Sequence, residues 1–236
     1  MRYFVISDIH GFYDVMVESL TKSGYDSTNE NHHLLILGDM FDRGHQSKEV
    51  LHYIYDLYQS NKATVLLGNH DTFLIELLQG DHGKAYFNML YNGFGLTLES
   101  LSGIEPDLDN LPTIQERILQ EYPYLLEWLK SLPYFIEIGD YIFVHGGIDG
   151  GKLDWRSMSS PHDFIWSREH LLPAIEGKTV VAGHTRVPTI RRQTNNYHLL
   201  HLHHPEDFDI LYMDGKILID RYVEVSQELN VLQLDL

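Results

Sequence analysis

Three apolar runs, each ending in a short polar motif and each followed by residues at helical spacing, constrain this chain more than any other feature. Residues 2–7 read as a strand that ends in Asp8-Ile9-His10-Gly11. Residues 12–22 then read as an amphipathic helix stopped by Gly24. Residues 33–37 read as a buried strand ending in Gly38-Asp39-Met40-Phe41-Asp42-Arg43-Gly44, and residues 46–59 place Val50, Ile54, Leu57 and Tyr58 at helical spacing. Residues 63–67 end in Gly68-Asn69-His70-Asp71, and residues 72–79 continue as a helix. A strand, a motif and a helix repeated three times imply parallel strands with helices on the faces of the sheet. All three motifs then meet at one edge, where ligands bind in open α/β sheets.

The pattern changes over residues 80–130, which carry several helical stretches, notably 113–130, and no clear strand. We read this stretch as a helical insertion over the active edge, with Trp128 as packing. Residues 134–138 and 141–144, separated by Gly139-Asp140, form a hairpin signal, and the second strand runs into His145-Gly146-Gly147. A helix starting near Phe164 would present Arg168, and the apolar run at 178–182 ends in Gly183-His184-Thr185. Residues 210–213, 217–220 and 231–234 read as closing strands of a second sheet. The whole chain, 1–236, is expected to form a single domain.

Composition narrows the function. The formal net charge is −17 over 236 residues, a poor surface for duplex nucleic acid, whose affinity rests on neutralised phosphates. There is no cysteine, so disulfides and thiolate metal sites are excluded. No apolar run approaches the roughly 18 residues of a membrane span. Residues 1–3 enter the first strand with no signal peptide, so the cytoplasm is the expected location. The polar stretch 195–209 carries His198, His201, His203 and His204; it reads as a solvated loop, with a second metal site as the alternative.

The strand-end residues Asp8, His10, Asp39, Asn69, His145 and His184 supply two carboxylates, an amide oxygen and three imidazoles, with no sulfur. That donor set suits two divalent ions such as Mn²⁺, Fe²⁺ or Zn²⁺ better than Ca²⁺, which prefers oxygens. Arg43, in the turn with Asp39, is of the type that grips phosphate through two parallel hydrogen bonds.

The ordered set Asp-x-His-Gly, Gly-Asp-x-x-Asp-Arg-Gly, Gly-Asn-His, His-Gly-Gly and Gly-His-Thr, spanning Asp8 to His184, resembles the calcineurin-like metallophosphoesterases. Within them it is similar to the phosphoprotein phosphatase branch, including small bacterial and phage serine/threonine phosphatases and the dinucleoside tetraphosphatases. The resemblance implies an α/β fold: a β-sandwich of two mixed sheets flanked by helices, with the helical insertion added. It implies two divalent ions, Mn²⁺ first with Fe or Zn as alternatives, and a bridging hydroxide as attacking group. Asp8 and His10 would hold one ion, Asp39 would bridge, and Asn69, His145 and His184 would hold the other. Arg43 and Arg168 would bind the substrate phosphate, His70 would act as general acid, and Asp42 would orient His70.

The resemblance implies a phosphomonoesterase acting on phosphoserine or phosphothreonine in proteins. The alternative is a dinucleoside polyphosphate hydrolase, such as one cleaving diadenosine tetraphosphate, and a non-catalytic metal-binding scaffold ranks third. The partner is thus a phosphoprotein or a phosphorylated small molecule or nucleotide, with no membrane; the sequence leaves the oligomeric state open. Two departures stand out. Asp71 occupies a position where relatives commonly have Glu, and Asp220-Arg221-Tyr222 replaces a common Asp-Thr-Gly.

Overall fold

A computed structural model describes residues 1–194 and 204–236. Its strands form two mixed sheets. The first contains β1 (Arg2–Ile6), β2 (His32–Ile36), β3 (Ala63–Val65) and β9 (Leu232–Asp235), in the order β3-β2-β1-β9. The second contains β4 (Phe135–Ile138), β5 (Tyr141–Val144), β6 (Thr179–Ala182), β7 (Leu211–Met213) and β8 (Lys216–Leu218), in the order β4-β5-β6-β8-β7. The strands β1, β2 and β3 are parallel, as are β5, β6 and β8. The antiparallel members β9, β4 and β7 lie at sheet edges.

Alternation along the strands explains the sandwich. On β1, Phe4 and Ile6 face the helices while Val5 faces the other sheet; on β2, Leu34 and Ile36 face outward while Leu35 faces inward. The second sheet answers with Phe143 and Val181 inward and Ile142, Val144, Val180 and Ala182 outward. Side chains on alternate residues point to opposite faces, and here both faces are buried, which is why these strands are apolar throughout.

Helices α1 (Tyr13–Lys22), α2 (Ser47–Gln59) and α3 (Asp71–Leu78) follow the first three motifs. The insertion comprises α4 (His82–Tyr91), α5 (Phe94–Ser102), α6 (Leu111–Glu121) and α7 (Leu125–Ser131), all joined to the same apolar cluster as α1–α3. The stretch 113–130 is thus two helices, and Trp128 is buried packing. Beyond β5 come α8 (Trp155–Met158), α9 (Pro161–Trp166) and α10 (Val187–Thr194); α11 (Val223–Ser226) follows β8. No helix among the described residues is long and apolar enough to cross a membrane.

One expectation is corrected. The last strand belongs to the first sheet: β9 pairs antiparallel with β1, with Val5 opposite Leu232. An alternating strand carries a face in its sequence but not a neighbour, and the open edge of β1 was the available partner. Of the histidine-rich stretch, His198, His201 and His203 lie outside the described residues; His204 is exposed, 3.7 Å from Glu206.

Candidate metal centre and phosphate cleft

All five motifs lie at C-terminal ends of strands: after β1, β2 and β3 in one sheet and after β5 and β6 in the other. Their backbones are unusual. Asp8, His10, Asp39, Asp42, Arg43 and His184 all have positive φ, between 50° and 77°. Non-glycine residues rarely adopt this conformation, and such outliers cluster at functional sites. Close packing of the loops accompanies it. A Cβ on Gly38 would lie 2.4 Å from the Gly68 nitrogen, and one on Gly68 would lie 2.2 Å from the Asp39 nitrogen. Only glycines let the second and third motifs touch, which brings Asp39 beside Asn69.

The loops enclose a cleft of about 350 Å³. Eight of the ten predicted site residues line it: Asp8, His10, Asp39, Asn69 and His184, with Arg43, His70 and Arg168. Asp42 and His145 lie fully buried behind them.

Donor atoms converge in two places. Asp39 meets His145 and His184 in one group, and His10 and His70 in the other, all within 4.8 Å of one another. Asp8 joins the second group through its Oδ1, 3.9 Å from His10 Nε2. In the first group, Asn69 Oδ1 lies 2.9 Å from both His145 Nε2 and His184 Nδ1, and Asp39 Oδ1 lies 3.3 Å from His145 Nε2. Ligand atoms about 2.1 Å from an octahedral ion stand about 3 Å apart, so these separations suit donors round one cation.

Charge and tautomer fit the same purpose. His10 Nδ1 lies 2.9 Å from the Phe41 carbonyl and His145 Nδ1 lies 2.8 Å from the Leu37 carbonyl. A carbonyl only accepts, so each Nδ1 carries the hydrogen and each Nε2 is aimed into the site. Burial holds His184 down at about 3, and burial with the Arg43 charge holds His10 well below the usual range. Both imidazoles are therefore neutral, the form that ligates metal. Burial also depresses His145, but the Asp39 and Asp8 charges outweigh it and raise the group to about 9. The His145 proton thus supplies the positive charge that the surrounding oxygens demand, and a divalent ion meets that demand more fully. The residues fit two divalent cations.

The remaining predicted groups sit beside these donors. His70 Nδ1 is 2.6 Å from Asp42 Oδ2, and Arg43 Nη2 donates to His70 Nε2 at 2.7 Å. Arg43 Nη1 donates to His10 Nε2 at 2.6 Å. That lone pair serves either the arginine or an ion, so the two roles exclude each other. Arg168 follows α9 in extended backbone, outside the helix, and its Nη1 reaches Thr185 Oγ1 at 3.4 Å.

Sequence reasoning missed several supports. Asp71 is fully buried and accepts from the backbone N–H groups of Asp39 (3.0 Å), Met40 (2.9 Å) and Gly68 (2.8 Å). What read as a minor departure is the clasp between two motifs. Thr97, on α5, donates to Asp42 Oδ1 at 2.9 Å and accepts from the Asp42 N–H at 2.8 Å. The insertion therefore buttresses the Asp42–Arg43 turn as well as bordering the cleft. Glu169 and Lys216 form a buried pair, and the Ile148 N–H donates to Glu169 Oε2 at 2.7 Å, which ties the Arg168 segment to the loop after His145. A buried acid next to a motif was the available signal for Asp71; the other partners lie too far along the chain to be paired from sequence.

The fold and this site define a metallophosphoesterase. The calcineurin-like phosphoesterase family pattern matches residues 1–224, and the chain belongs to that family. Its members are hydrolases that use divalent metal ions. The asymmetrical bis(5'-nucleosyl)-tetraphosphatase PrpE of Bacillus velezensis is 28% identical over 220 residues, covering 83% of each chain. Among solved structures, a serine/threonine phosphatase from Saccharomyces cerevisiae with similarity to human phosphatase PP5 superposes with a TM-score of 0.59 at 17% identity, over 99% of this chain and 72% of the other. A cold-active protein tyrosine phosphatase superposes with a TM-score of 0.58 at 20% identity, over 99% and 73%. At such identities the two structures support the fold alone.

Proposed function

We propose that this enzyme hydrolyses a P–O bond in a dinucleoside polyphosphate at a two-metal centre. The observation that carries the hydrolytic reading is the convergence of Asp8, His10, Asp39, Asn69, His145 and His184 in one cleft with Arg43 and His70. The nucleotide class is supported by the similarity to a tetraphosphatase over 83% of both chains. Asp8 and His10 would hold one ion, Asn69, His145 and His184 the other, and Asp39 both. The mixed nitrogen and oxygen donors suit Mn²⁺, and Fe²⁺ or Zn²⁺ fit them as well. Two ions bound there supply Lewis acidity toward the phosphoryl oxygens and activate water for attack.

The chain's own residues do the rest. Arg43 and Arg168 grip phosphoryl oxygens and offset the repulsion of an anion by a −17 chain. Arg43 leaves His70 Nε2 as it turns to the substrate, and that nitrogen then carries the proton passed to the leaving oxygen. Asp42 holds the other face of the ring. Water oxygen joins phosphorus, the old P–O bond breaks, and the leaving oxygen departs protonated.

The His70–Asp42 pair favours a second reading, a serine/threonine protein phosphatase, because an alkoxide needs a proton more than a leaving phosphate does. A comparison of kcat/KM with Mn²⁺ present decides between them. Diadenosine tetraphosphate is expected to exceed a phosphothreonine peptide strongly; the reverse ratio would make this a protein phosphatase.

A further inference from the structure

Glu224 sits where two arginines meet. Its Oε1 accepts from Arg43 Nη1 at 3.0 Å and from Arg186 Nη2 at 2.8 Å. Its Oε2 is buried with no hydrogen-bond partner. One carboxylate oxygen therefore serves two guanidinium forks, each shaped to bind two oxygens of a planar or tetrahedral anion. Arg186 follows Thr185 and lines the same cleft as Arg43 and Arg168. Its guanidinium lies 3.8 Å from the Tyr222 ring centroid, a stacking contact that fixes its plane.

The backbone carrying Glu224 is held in an uncommon conformation at both ends. Tyr222 (φ 60°, ψ 61°) and Gln227 (φ 52°, ψ 32°) are left-handed and flank the four residues of α11. Val223, buried in the apolar cluster of the first sheet, anchors this turn, so only the Glu224 side chain has to swing away from the arginines. The departure Asp220-Arg221-Tyr222 is the stretch that delivers both Tyr222 and Glu224 to the cleft.

We propose that Arg186, with Arg43, forms a subsite for a second phosphate next to the one attacked, and that the Glu224 carboxylate occupies this subsite until a polyphosphate chain displaces it. The inference rests on the phosphohydrolase reading and narrows its substrate class to chains of at least two phosphates. A phosphate offers several oxygens to the two forks where Glu224 offers one. A monophosphate, held at the metal centre with Arg43 and Arg168, would leave Arg186 on Glu224.

Calorimetric binding of inorganic tripolyphosphate and of orthophosphate to the Mn²⁺-loaded full chain tests this, with free Mn²⁺ held constant. Loss of one charge-assisted pair in Arg186→Met is expected to weaken tripolyphosphate about 30-fold relative to its effect on orthophosphate. Glu224→Gln, which weakens the competitor, is expected to tighten tripolyphosphate several-fold. Equal weakening of both anions in Arg186→Met would overturn the proposal. So would weaker tripolyphosphate binding by Glu224→Gln, which would mark Glu224 as a structural anchor. Turnover of diadenosine tetraphosphate by the wild type is measured alongside. Its absence would defeat the dinucleoside polyphosphate reading while the binding ratios still decide the subsite.

Discussion

The two sheets contribute to the cleft in different ways. The first sheet delivers Asp8, His10, Asp39, Asp42, Arg43, Asn69 and His70 on three loops that interlock: Asp71 clasps two of them, and the His70 N–H donates to Asp39 Oδ1 at 2.8 Å. Apart from Arg43, every one of these side chains is buried. The second sheet delivers His145 from its interior, but His184, Arg168 and Arg186 stand on its rim, partly exposed and with fewer partners. On the proposed reading the buried half would carry most of the chemistry, His145 and His184 would complete one donor group from the second sheet, and Arg168 and Arg186 would meet the rest of the substrate.

The largest expected effect comes from the rigid half. Asp39→Asn removes the charge shared by both donor groups, and kcat/KM is expected to fall about a thousandfold with Mn²⁺ present; activity near wild type would break the comparison at once. Asp71→Ala leaves three buried N–H groups without an acceptor. We expect a loss of about 3 kcal/mol in unfolding free energy, read from urea denaturation. Thr97→Val should cost about 1–2 kcal/mol and slow substrates with poor leaving groups about tenfold, since the Asp42 carboxylate loses the bond that fixes it for His70. An unchanged leaving-group dependence would show that Asp42 needs no help from the insertion. The smallest structural effect is expected on the rim: Arg168→Gln should raise KM about tenfold and move the thermal midpoint by no more than about 2 °C. A large loss of stability there would erase the distinction between the halves.

The sequence was most informative where function is local. Each motif directly follows a strand, so Gly38 to Gly44 marked the sheet edge, and of the ten predicted residues eight line the cleft while Asp42 and His145 lie buried behind it. Pairing partners were harder. Residues 231–234 were recognisable as a strand, yet nothing in their alternation separates an edge beside β1 from one beside β8. Supports that join distant positions were invisible: Thr97 lies 55 residues from Asp42, and Glu224 lies 181 from Arg43. A threonine on an amphipathic helix and a glutamate in a polar tail look ordinary until the fold brings them together. Asp71 was misjudged for the opposite reason. Its place beside the motif was plain, but three backbone donors from two loops give it its role.

The most direct test is a count of bound Mn²⁺ by equilibrium dialysis, for the wild type and for His184→Ala, with folding checked by circular dichroism. Two ions per wild-type chain and one per variant chain are predicted, because His184 sits in only one of the two donor groups. A single ion or none in the folded wild type would contradict the two-metal centre on which the proposed chemistry depends.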